Sequence, residues 1–194
     1  MAHRVCPWWL GYFLLVPLRR LWQDPRNILS PYVTEGMMVL EPGPGMGFFT
    51  LELARLVGPT GRVIAVDVQP RMLAVLRSRA ARAGLDGRIE TRQATKTGLG
   101  IDDLAGKVGF ALAFALVHEL PSADTFFAEV AKVLVPGGRL LVAEPSGHVP
   151  QDEFKKTLDS AAAAGFRVME RPAIRSTHAA LLVRDQPAAP RDTQ

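Results

Sequence analysis

Strand-like and helix-like patterns alternate through the middle of the chain. Short apolar runs that end at an acid or at a Gly/Pro turn predict buried strands at 37–40, 62–66, 89–92, 108–114, 139–143, 166–170 and 179–184. Apolar residues at helical spacing predict helices at 24–33, 48–57, 70–83, 122–134 and 151–164. A turn is predicted at 136–138. This alternation favours an α/β fold with a mostly parallel, doubly wound sheet.

The two last strands follow each other without a helix, so we expect them to be antiparallel at one edge of the sheet. No internal repeat or long linker divides the chain. Its 194 residues suit one domain. We therefore predict a single folded domain over 35–185, preceded by a helical segment at 1–34. A Pro/Ala-rich flexible tail is predicted at 186–194.

Composition narrows the class of protein but not its function. Hydrophobic residues make up 48% of the chain, which is typical of a globular protein. The net charge of +4 permits a nucleic-acid partner, yet the basic residues are scattered and do not demand one. Cys6 is the only cysteine, so the chain cannot form an internal disulfide, and this favours a reducing compartment such as the cytoplasm. A single thiol is also a poor metal site, and we predict no metal.

A glycine-rich loop follows the first predicted strand. That strand ends in Glu41, and the loop reads Gly43-Pro44-Gly45-Met46-Gly47. Glycines let a ligand approach the backbone closely, and the helix that follows offers free N–H groups. The spacing is Gly-x-Gly-x-Gly rather than the Gly-x-Gly-x-x-Gly of dinucleotide sites. Glu41 would repel a pyrophosphate but suits an ammonium or sulfonium group, which disfavours an NAD-dependent oxidoreductase.

Asp67 adds a second feature at the expected distance. It ends the second predicted strand, roughly 20 residues beyond the glycine loop, where an acid can bind ribose hydroxyls. The alternative is that Asp67 caps the helix that begins at Pro70.

With these features, residues 37–144 resemble the class I S-adenosylmethionine (SAM)-dependent methyltransferases, in the broad group of small-molecule and ubiquinone-type enzymes. The matching motifs are Val39-Leu40-Glu41-Pro42-Gly43-Pro44-Gly45-Met46-Gly47, Val63-Ile64-Ala65-Val66-Asp67, Leu116-Val117-His118-Glu119-Leu120 and Leu134-Val135-Pro136-Gly137-Gly138-Arg139-Leu140. The resemblance implies SAM as cofactor. It also implies a seven-stranded Rossmann-like sheet into which the final strand is inserted antiparallel.

The resemblance also implies a set of cofactor-binding residues. Those assigned to the methionine part of SAM are Glu41, Gly43, Gly45, Gly47, Ala113 and Phe114. Asp67 is assigned to the ribose, and Val68 and Met72 to the flanks of the adenine. Many relatives have an acid after the third strand for the adenine amino group, whereas this chain has Gln93-Ala94-Thr95. We therefore assign adenine recognition to Thr95 or to backbone atoms.

Methyl transfer is an in-line displacement that needs alignment and exclusion of water rather than a covalent catalyst. A general base helps when the acceptor is a hydroxyl or an acidic carbon. His118, Glu119, Glu144 and His148 lie at or after strand ends, on the binding side of the sheet. We predict that His118 is the base or a substrate contact, and that Glu144 and His148 line the substrate pocket. The alternative for each is a capping or packing role.

The apolar N-terminal stretch at 8–18 is too short to span a bilayer, which takes roughly 20 residues. We interpret it as a helix that covers the pocket, with Trp9, Tyr12 and Phe13 lining the acceptor site. The alternative is peripheral contact with a membrane surface, which its aromatic and arginine residues also suit.

These observations predict transfer of a methyl group to a small-molecule acceptor, because no second domain is present to grip a macromolecule. An RNA or protein methyltransferase is the first alternative. Against it, the chain lacks an Asn/Asp-Pro-Pro-aromatic motif and a cysteine after the glycine loop. A module that binds SAM or a nucleotide without turnover is the second alternative. The oligomeric state and the identity of the acceptor stay open.

Overall fold

The computed structural model describes residues 23–95 and 98–185. In this part of the chain the strands are β1 Met38–Pro42, β2 Arg62–Asp67, β3 Ile89–Gln93, β4 Val108–Phe114, β5 Leu134–Pro145, β6 Phe166–Glu170 and β7 Thr177–Arg184. The α-helices are α1 Pro25–Leu29, α2 Thr50–Leu56, α3 Pro70–Arg82, α4 Ala123–Val133 and α5 Gln151–Ala163. Short 3₁₀ helices are formed by Asp86–Arg88, Asp102–Leu104 and Val117–Glu119.

The described strands form one seven-stranded sheet in the order β3-β2-β1-β4-β5-β7-β6. Strands β1 to β5 pair in parallel, whereas β7 is antiparallel to both β5 and β6. The predicted α/β class, the mostly parallel sheet and the antiparallel insertion of the final strand are all confirmed. The strand order reverses between β1 and β4, and in open α/β sheets this switch point forms a ligand-binding crevice.

Helices cover both faces of the sheet, because alternate residues of the buried strands are apolar on both sides. Leu40 belongs to the core formed with α4 and α5, which includes Phe127 and Phe154. Its neighbour Val39 belongs to the core formed with α1 and α2, which includes Leu29. All five side chains are fully buried. The two cores fix the sheet between layers and hold the strand ends at set positions.

Two predicted boundaries were wrong. The first helix covers Pro25–Leu29 rather than 24–33, with Asp24 as its N-cap, and backbone turns follow it. Pro31 explains the early end, because it has no backbone N–H to donate to the Asn27 carbonyl and so interrupts the helical hydrogen bonds. The predicted turn at 136–138 lies inside β5, where the pairing with β4 jumps from Leu134 to Arg139. Gly137 has a φ of 75°, which lets the extra residues loop out without ending the strand.

Part of the sequence prediction concerns residues outside the described ranges. They include Cys6, Trp9, Tyr12, Phe13 and the tail at 186–194. The division into 1–34, 35–185 and 186–194 therefore stays a prediction. Within residues 23–95 and 98–185, every helix is too short or too polar to cross a lipid bilayer.

Candidate active site

The carboxyl ends of four neighbouring strands carry most of the predicted site residues. In the order β2-β1-β4-β5, these ends bring Asp67, Glu41, Phe114 and Glu144 to one edge of the sheet. This edge includes the switch point in strand order between β1 and β4, where a crevice for ligands forms in open α/β sheets. The sequence analysis predicted that these residues lie at strand ends on one side of the sheet, and the structure places them there.

The three glycines of the loop have different surroundings. A Cβ atom added at Gly43 would lie 2.8 Å from Leu116 Cδ1, and one added at Gly47 would overlap the side chain of Leu76. Close packing of the loop thus explains these two glycines. A Cβ added at Gly45 would meet no atom within 4 Å, although φ at this residue is 54°. Gly45 therefore presents bare backbone to open space, as close approach of a ligand requires.

Glu41 is the least satisfied acid of the site. It is 3% exposed, and its Oε2 atom has no hydrogen-bond partner among the described residues. The Thr50 hydroxyl, also buried, is likewise unpartnered. Burial raises the pKa of Glu41 to about 8, and the nearby charge of Asp67 adds to the rise. Thr50 opposes this rise in pKa, although the two groups form no hydrogen bond of normal geometry.

A buried carboxyl without a partner fits a cationic ligand group. The α-ammonium of SAM's methionine part is such a group, and the bare backbone of Gly45 lies in the same loop. We call Glu41, Gly43–Gly47 and Thr50 the cradle. Its donor set fits SAM, because it offers a carboxylate to the ammonium and helix N–H groups to the carboxylate.

Asp67 is bound to the cradle from β2. Its Oδ2 atom accepts a hydrogen bond from Gly45 N at 3.3 Å, and its Oδ1 atom accepts one from Gln69 N at 2.8 Å. Burial raises the pKa of Asp67, and the charge of Glu119 adds to the rise, while the backbone hydrogen bonds oppose it. Gln69 is the N-cap residue of α3, so Asp67 also orders the turn into this helix. The capping alternative and a ligand-binding role are thus compatible.

The residues assigned to adenine occupy different environments. Val68 is 39% exposed, unusual for a large apolar side chain, and lies directly beside Asp67. Met72 is buried, with 4% exposure, in the first turn of α3. The Thr95 hydroxyl donates to the Gly98 carbonyl at 3.2 Å, and the Thr95 N–H donates to the same oxygen at 3.1 Å. The Gly98 carbonyl therefore accepts from both the side chain and the backbone of Thr95.

The end of β4 forms the wall beside the cradle. Ala113 is fully buried, and the Phe114 ring packs on Phe49, with ring centroids 4.4 Å apart. Ala115 then turns the chain with a φ of 53°, a conformation that costs a non-glycine residue about 1–2 kcal/mol. Its N–H donates to the Ala143 carbonyl at 2.7 Å, which helps to hold the turn. Strained residues of this kind cluster at functional sites.

His118 and Glu144 form a directly bonded pair. Nδ1 of His118 lies 2.5 Å from Oε2 of Glu144, and the second carboxylate oxygen accepts from Val117 N at 2.7 Å. The side chain of Glu144 is fully buried, whereas that of His118 is 28% exposed. The hydrogen bond to Glu144 raises the pKa of His118, and burial opposes this. The charges of Glu144, Glu119 and Glu153 raise it further.

The predicted pocket includes a second histidine, His148. His148 is exposed in the loop between β5 and α5, where its backbone N–H donates to the Pro145 carbonyl.

Three residues of the site were not predicted from the sequence. Thr50 reads as an ordinary helix residue, and Glu153 reads as a first-turn acid of α5. Ala115 carries no turn signal, because alanine rarely adopts a positive φ. The turn at Ala115, and the effects of Thr50 on the pKa of Glu41 and of Glu153 on the pKa of His118, link these residues to the site.

Comparison with known proteins adds an independent line of evidence. Residues 39–138, just over half of the chain, match the family model described as "Methyltransferase domain". A ubiquinone/menaquinone biosynthesis C-methyltransferase UbiE from Shewanella pealeana is 33% identical over 141 residues. The match covers 73% of this chain but 54% of that protein, so the chain spans about half the length of this relative.

Solved structures agree on the fold. A SAM-dependent methyltransferase from Aquifex aeolicus has a TM-score of 0.80 at 24% identity, and the match covers 92% of this chain and 98% of that one. The [4+2]-cyclase SpnF has a TM-score of 0.70 at 16% identity, with 84% and 81% covered. The same fold thus occurs in a protein named for another reaction, so fold alone does not identify chemistry. The family match, the glycine loop and the strand order together establish that this chain belongs to the class I SAM-dependent methyltransferases.

Proposed function

We propose that this chain transfers a methyl group from SAM to a hydroxyl oxygen or an acidic carbon of a small-molecule acceptor. The observation that carries the proposal is the His118–Glu144 pair, which lies at the same sheet edge as the cradle. A bonded histidine–carboxylate pair with one exposed partner is suited to remove a proton. An acceptor with a hydroxyl or an acidic carbon needs this help, whereas a thioether or a tertiary amine does not.

The relatives support a carbon acceptor as one form of this proposal. They are named as C-methyltransferases of ubiquinone/menaquinone biosynthesis, and a hydroxylated ring carbon is acidic enough to need a base. Since this chain spans only about half of their length, we extend the reaction type to it and not the whole substrate.

The residues of the chain have separate tasks in this reaction. SAM supplies an electrophilic methyl group on a positively charged sulfur. Glu41 holds the ammonium end through its unpartnered oxygen, and Gly45 lets the methionine part lie against the backbone. Asp67 receives the ribose hydroxyls while it orders Gly45. Together these contacts fix the methyl group relative to the acceptor, and orientation of this kind lowers the barrier to displacement.

His118 acts on the acceptor. In its neutral form the ring takes the proton from the hydroxyl or the carbon as the methyl group is transferred. The hydrogen bond to Glu144 raises the pKa of His118, so the ring holds its proton to higher pH than an unbonded histidine would. We therefore expect the rate to rise with pH as His118 loses its proton.

The test follows the label from methyl-labelled SAM in a desalted extract resupplied with small metabolites. We expect label in the small-molecule fraction. Label in precipitable RNA or protein would contradict the proposal in favour of a macromolecular acceptor. If the protein binds S-adenosylhomocysteine (SAH) but no fraction is labelled, the result would favour a module that binds without turnover. A panel of defined acceptors with hydroxyl groups or acidic carbons would then be tested.

Gly45→Asp is the inactive control, because its carboxylate would enter the space that the ligand needs. Gly84→Asp is its matched variant. Gly84 also has a positive φ and an open surrounding, yet it lies at the end of α3. Loss of labelling in Gly45→Asp alone separates a blocked cradle from a general loss of folding.

A further inference from the structure

We propose that Glu144 is a positioning residue: it fixes the tautomer of His118, so that Nε2 is the atom that receives the acceptor's proton. This inference rests on the proposed function for its catalytic meaning. Its structural content, the tautomer of one histidine, is measurable without any acceptor.

The burial of the pair gives the two residues different roles. The Glu144 side chain is fully buried, so the acceptor reaches His118 and not the carboxylate. Both carboxylate oxygens are already used, one by Val117 N–H and the other by His118 Nδ1. Glu144 therefore acts through His118.

The chemistry of the carboxylate determines which ring nitrogen carries the proton. An ionised carboxylate only accepts hydrogen bonds, so Nδ1 must be the donor in the contact with Oε2. In neutral imidazole one nitrogen carries hydrogen and the other has the free lone pair. With hydrogen on Nδ1, the free lone pair is on Nε2. An acceptor that takes a hydrogen bond from one ring nitrogen therefore determines the tautomer of the ring.

The backbone holds the pair in place from two sides. Glu144 lies on β5, directly opposite His178 of β7. The bond from Val117 N to Glu144 attaches the 3₁₀ helix Val117–Glu119 to the same strand. The Glu144 carboxylate thus bonds both the His118 ring and the backbone N–H of the preceding residue, Val117. These two bonds restrict the position and the rotation of the ring.

Other charged groups also act on His118, but in a different manner. Glu119 of its own 3₁₀ helix and Glu153 of α5 favour the protonated ring through charge. On β7, His178 stacks against Phe154, with ring centroids 5.7 Å apart. Among residues 23–95 and 98–185, only Glu144 both bonds the ring and carries a charge. We therefore expect different results when Glu144 or Glu153 is replaced.

The proton balance of the step is simple. The bond from sulfur to methyl breaks, the bond from the acceptor oxygen or carbon to methyl forms, and the acceptor's proton moves to Nε2. The resulting imidazolium is stabilised by Glu144 at Nδ1. Because the ring is partly exposed, Nε2 then passes its proton to solvent.

The test is ¹⁵N NMR of the full-length chain labelled at histidine and saturated with SAH, with His118 assigned by its loss in His118→Asn. We expect the Nδ1–H tautomer in the wild type. In Glu144→Gln, the amide oxygen still accepts from Val117, while the amide NH₂ donates to Nδ1. We therefore expect the tautomer to switch to Nε2–H and the pKa of His118 to fall.

Glu153→Gln is the matched control, since it removes one negative charge without removing a bond to the ring. It is expected to lower the pKa of His118 less and to leave the tautomer unchanged. Equal spectra for wild type and Glu144→Gln, or an Nε2–H tautomer in the wild type, would overturn the proposal. The wild-type spectrum alone decides the matter if Glu144→Gln does not fold.

Activity provides the second readout. When an acceptor is known, we expect Glu144→Gln to lower kcat on the order of 10²-fold or more with little change in SAH affinity. A failure of methyl transfer in the wild type, together with the expected spectra, would count against the proposed function and leave the assignment of the His118 tautomer to Glu144 standing.

Discussion

Two polar clusters lie against the same sheet but differ in how their buried groups are satisfied. In the first, Tyr32 O–H donates to Glu170 at 2.6 Å, and the Tyr32 carbonyl accepts from Arg139 at 2.7 Å. The Arg139 guanidinium also lies 5.9 Å from the centre of the Tyr32 ring. We call these three residues the Tyr32 clamp. In the second, the cradle, Glu41 and Thr50 each bury an oxygen that has no partner in the described ranges.

The presence or absence of hydrogen-bond partners distinguishes groups that stabilise the fold from groups that are suited to bind a ligand. Each group of the clamp gains its hydrogen bond when the chain folds, so the clamp stabilises the ligand-free protein. Burial of an unpartnered polar group costs about 1–3 kcal/mol. The cradle therefore lowers the stability of the ligand-free protein, and a cationic ligand group recovers that loss. Variants of the two clusters should accordingly affect different measurements.

The largest expected effect is on turnover, in His118→Asn. We expect kcat to fall roughly 10²- to 10⁴-fold, because the general base is removed while the cradle is intact. The SAH dissociation constant from calorimetry should be within about twofold of wild type, since His118 lies outside the cradle. A large loss of SAH affinity would place His118 among the ligand-holding residues instead.

The pH dependence of turnover follows from the same residue. The bond to Glu144 raises the pKa of His118, so the wild-type kcat/KM should rise with pH until His118 is neutral. In Glu144→Gln that rise should move to lower pH. A profile that does not depend on Glu144 would argue that another group is titrating.

The next largest effect is on cofactor affinity, in Glu41→Gln. A charge-assisted hydrogen bond contributes about 1.5–3 kcal/mol, so SAH should bind roughly 10- to 100-fold more weakly. Because burial raises the pKa of Glu41 to about 8, the ligand-free carboxyl is mostly protonated at pH 7. An incoming ammonium favours the ionised form, so wild-type binding should release roughly one proton. Calorimetry in two buffers of different ionisation enthalpy measures that proton.

The control for Glu41 is Glu52→Gln. Glu52 is also buried, at 5% exposure, but it has a partner in Arg55 at 3.0 Å. SAH affinity and proton release should be those of wild type in this variant.

The stability of the ligand-free protein is a second measurement on Glu41. A raised carboxyl pKa stabilises the ligand-free fold at low pH and less so as pH rises from about 4.5 towards 8. Glu41→Gln should therefore gain stability relative to wild type at pH 8.

A smaller effect is expected from Gly45→Ala, compared with Gly84→Ala. Both glycines have a positive φ, 54° and 64°, and neither has an atom within 4 Å of an added Cβ. Both variants should lose about 1 kcal/mol of stability from backbone strain. Only Gly45→Ala should weaken SAH binding, by about tenfold, because only its methyl group enters the cradle. Equal SAH affinities in the two variants would contradict the placement of the ligand.

The sequence predicted the sheet and the identity of the loop, because both depend on local patterns. The apolar runs and the glycine spacing near Glu41 are visible within a few residues of each other. The two residues of the His118–Glu144 contact are 26 positions apart, and the contact depends on β4 and β5 being neighbours. The sequence therefore placed both residues at one edge of the sheet but did not predict the hydrogen bond between them. Thr50 and Ala115 were missed because burial and φ depend on tertiary packing.

The smallest effect on the site should come from the clamp, in Tyr32→Phe. This change removes the hydrogen bond to Glu170. Burial, followed by this hydrogen bond, raises the pKa of Tyr32 to about 12. We expect the free energy of unfolding to fall by about 1 kcal/mol, since the acceptor is near the surface and solvent competes for it. SAH affinity and kcat should be unchanged, because the clamp lies outside the cradle and the His118–Glu144 pair. If Tyr32→Phe weakened SAH binding as strongly as Glu41→Gln, the two clusters would be coupled through the sheet. The contrast between folding groups and ligand-binding groups would then fail.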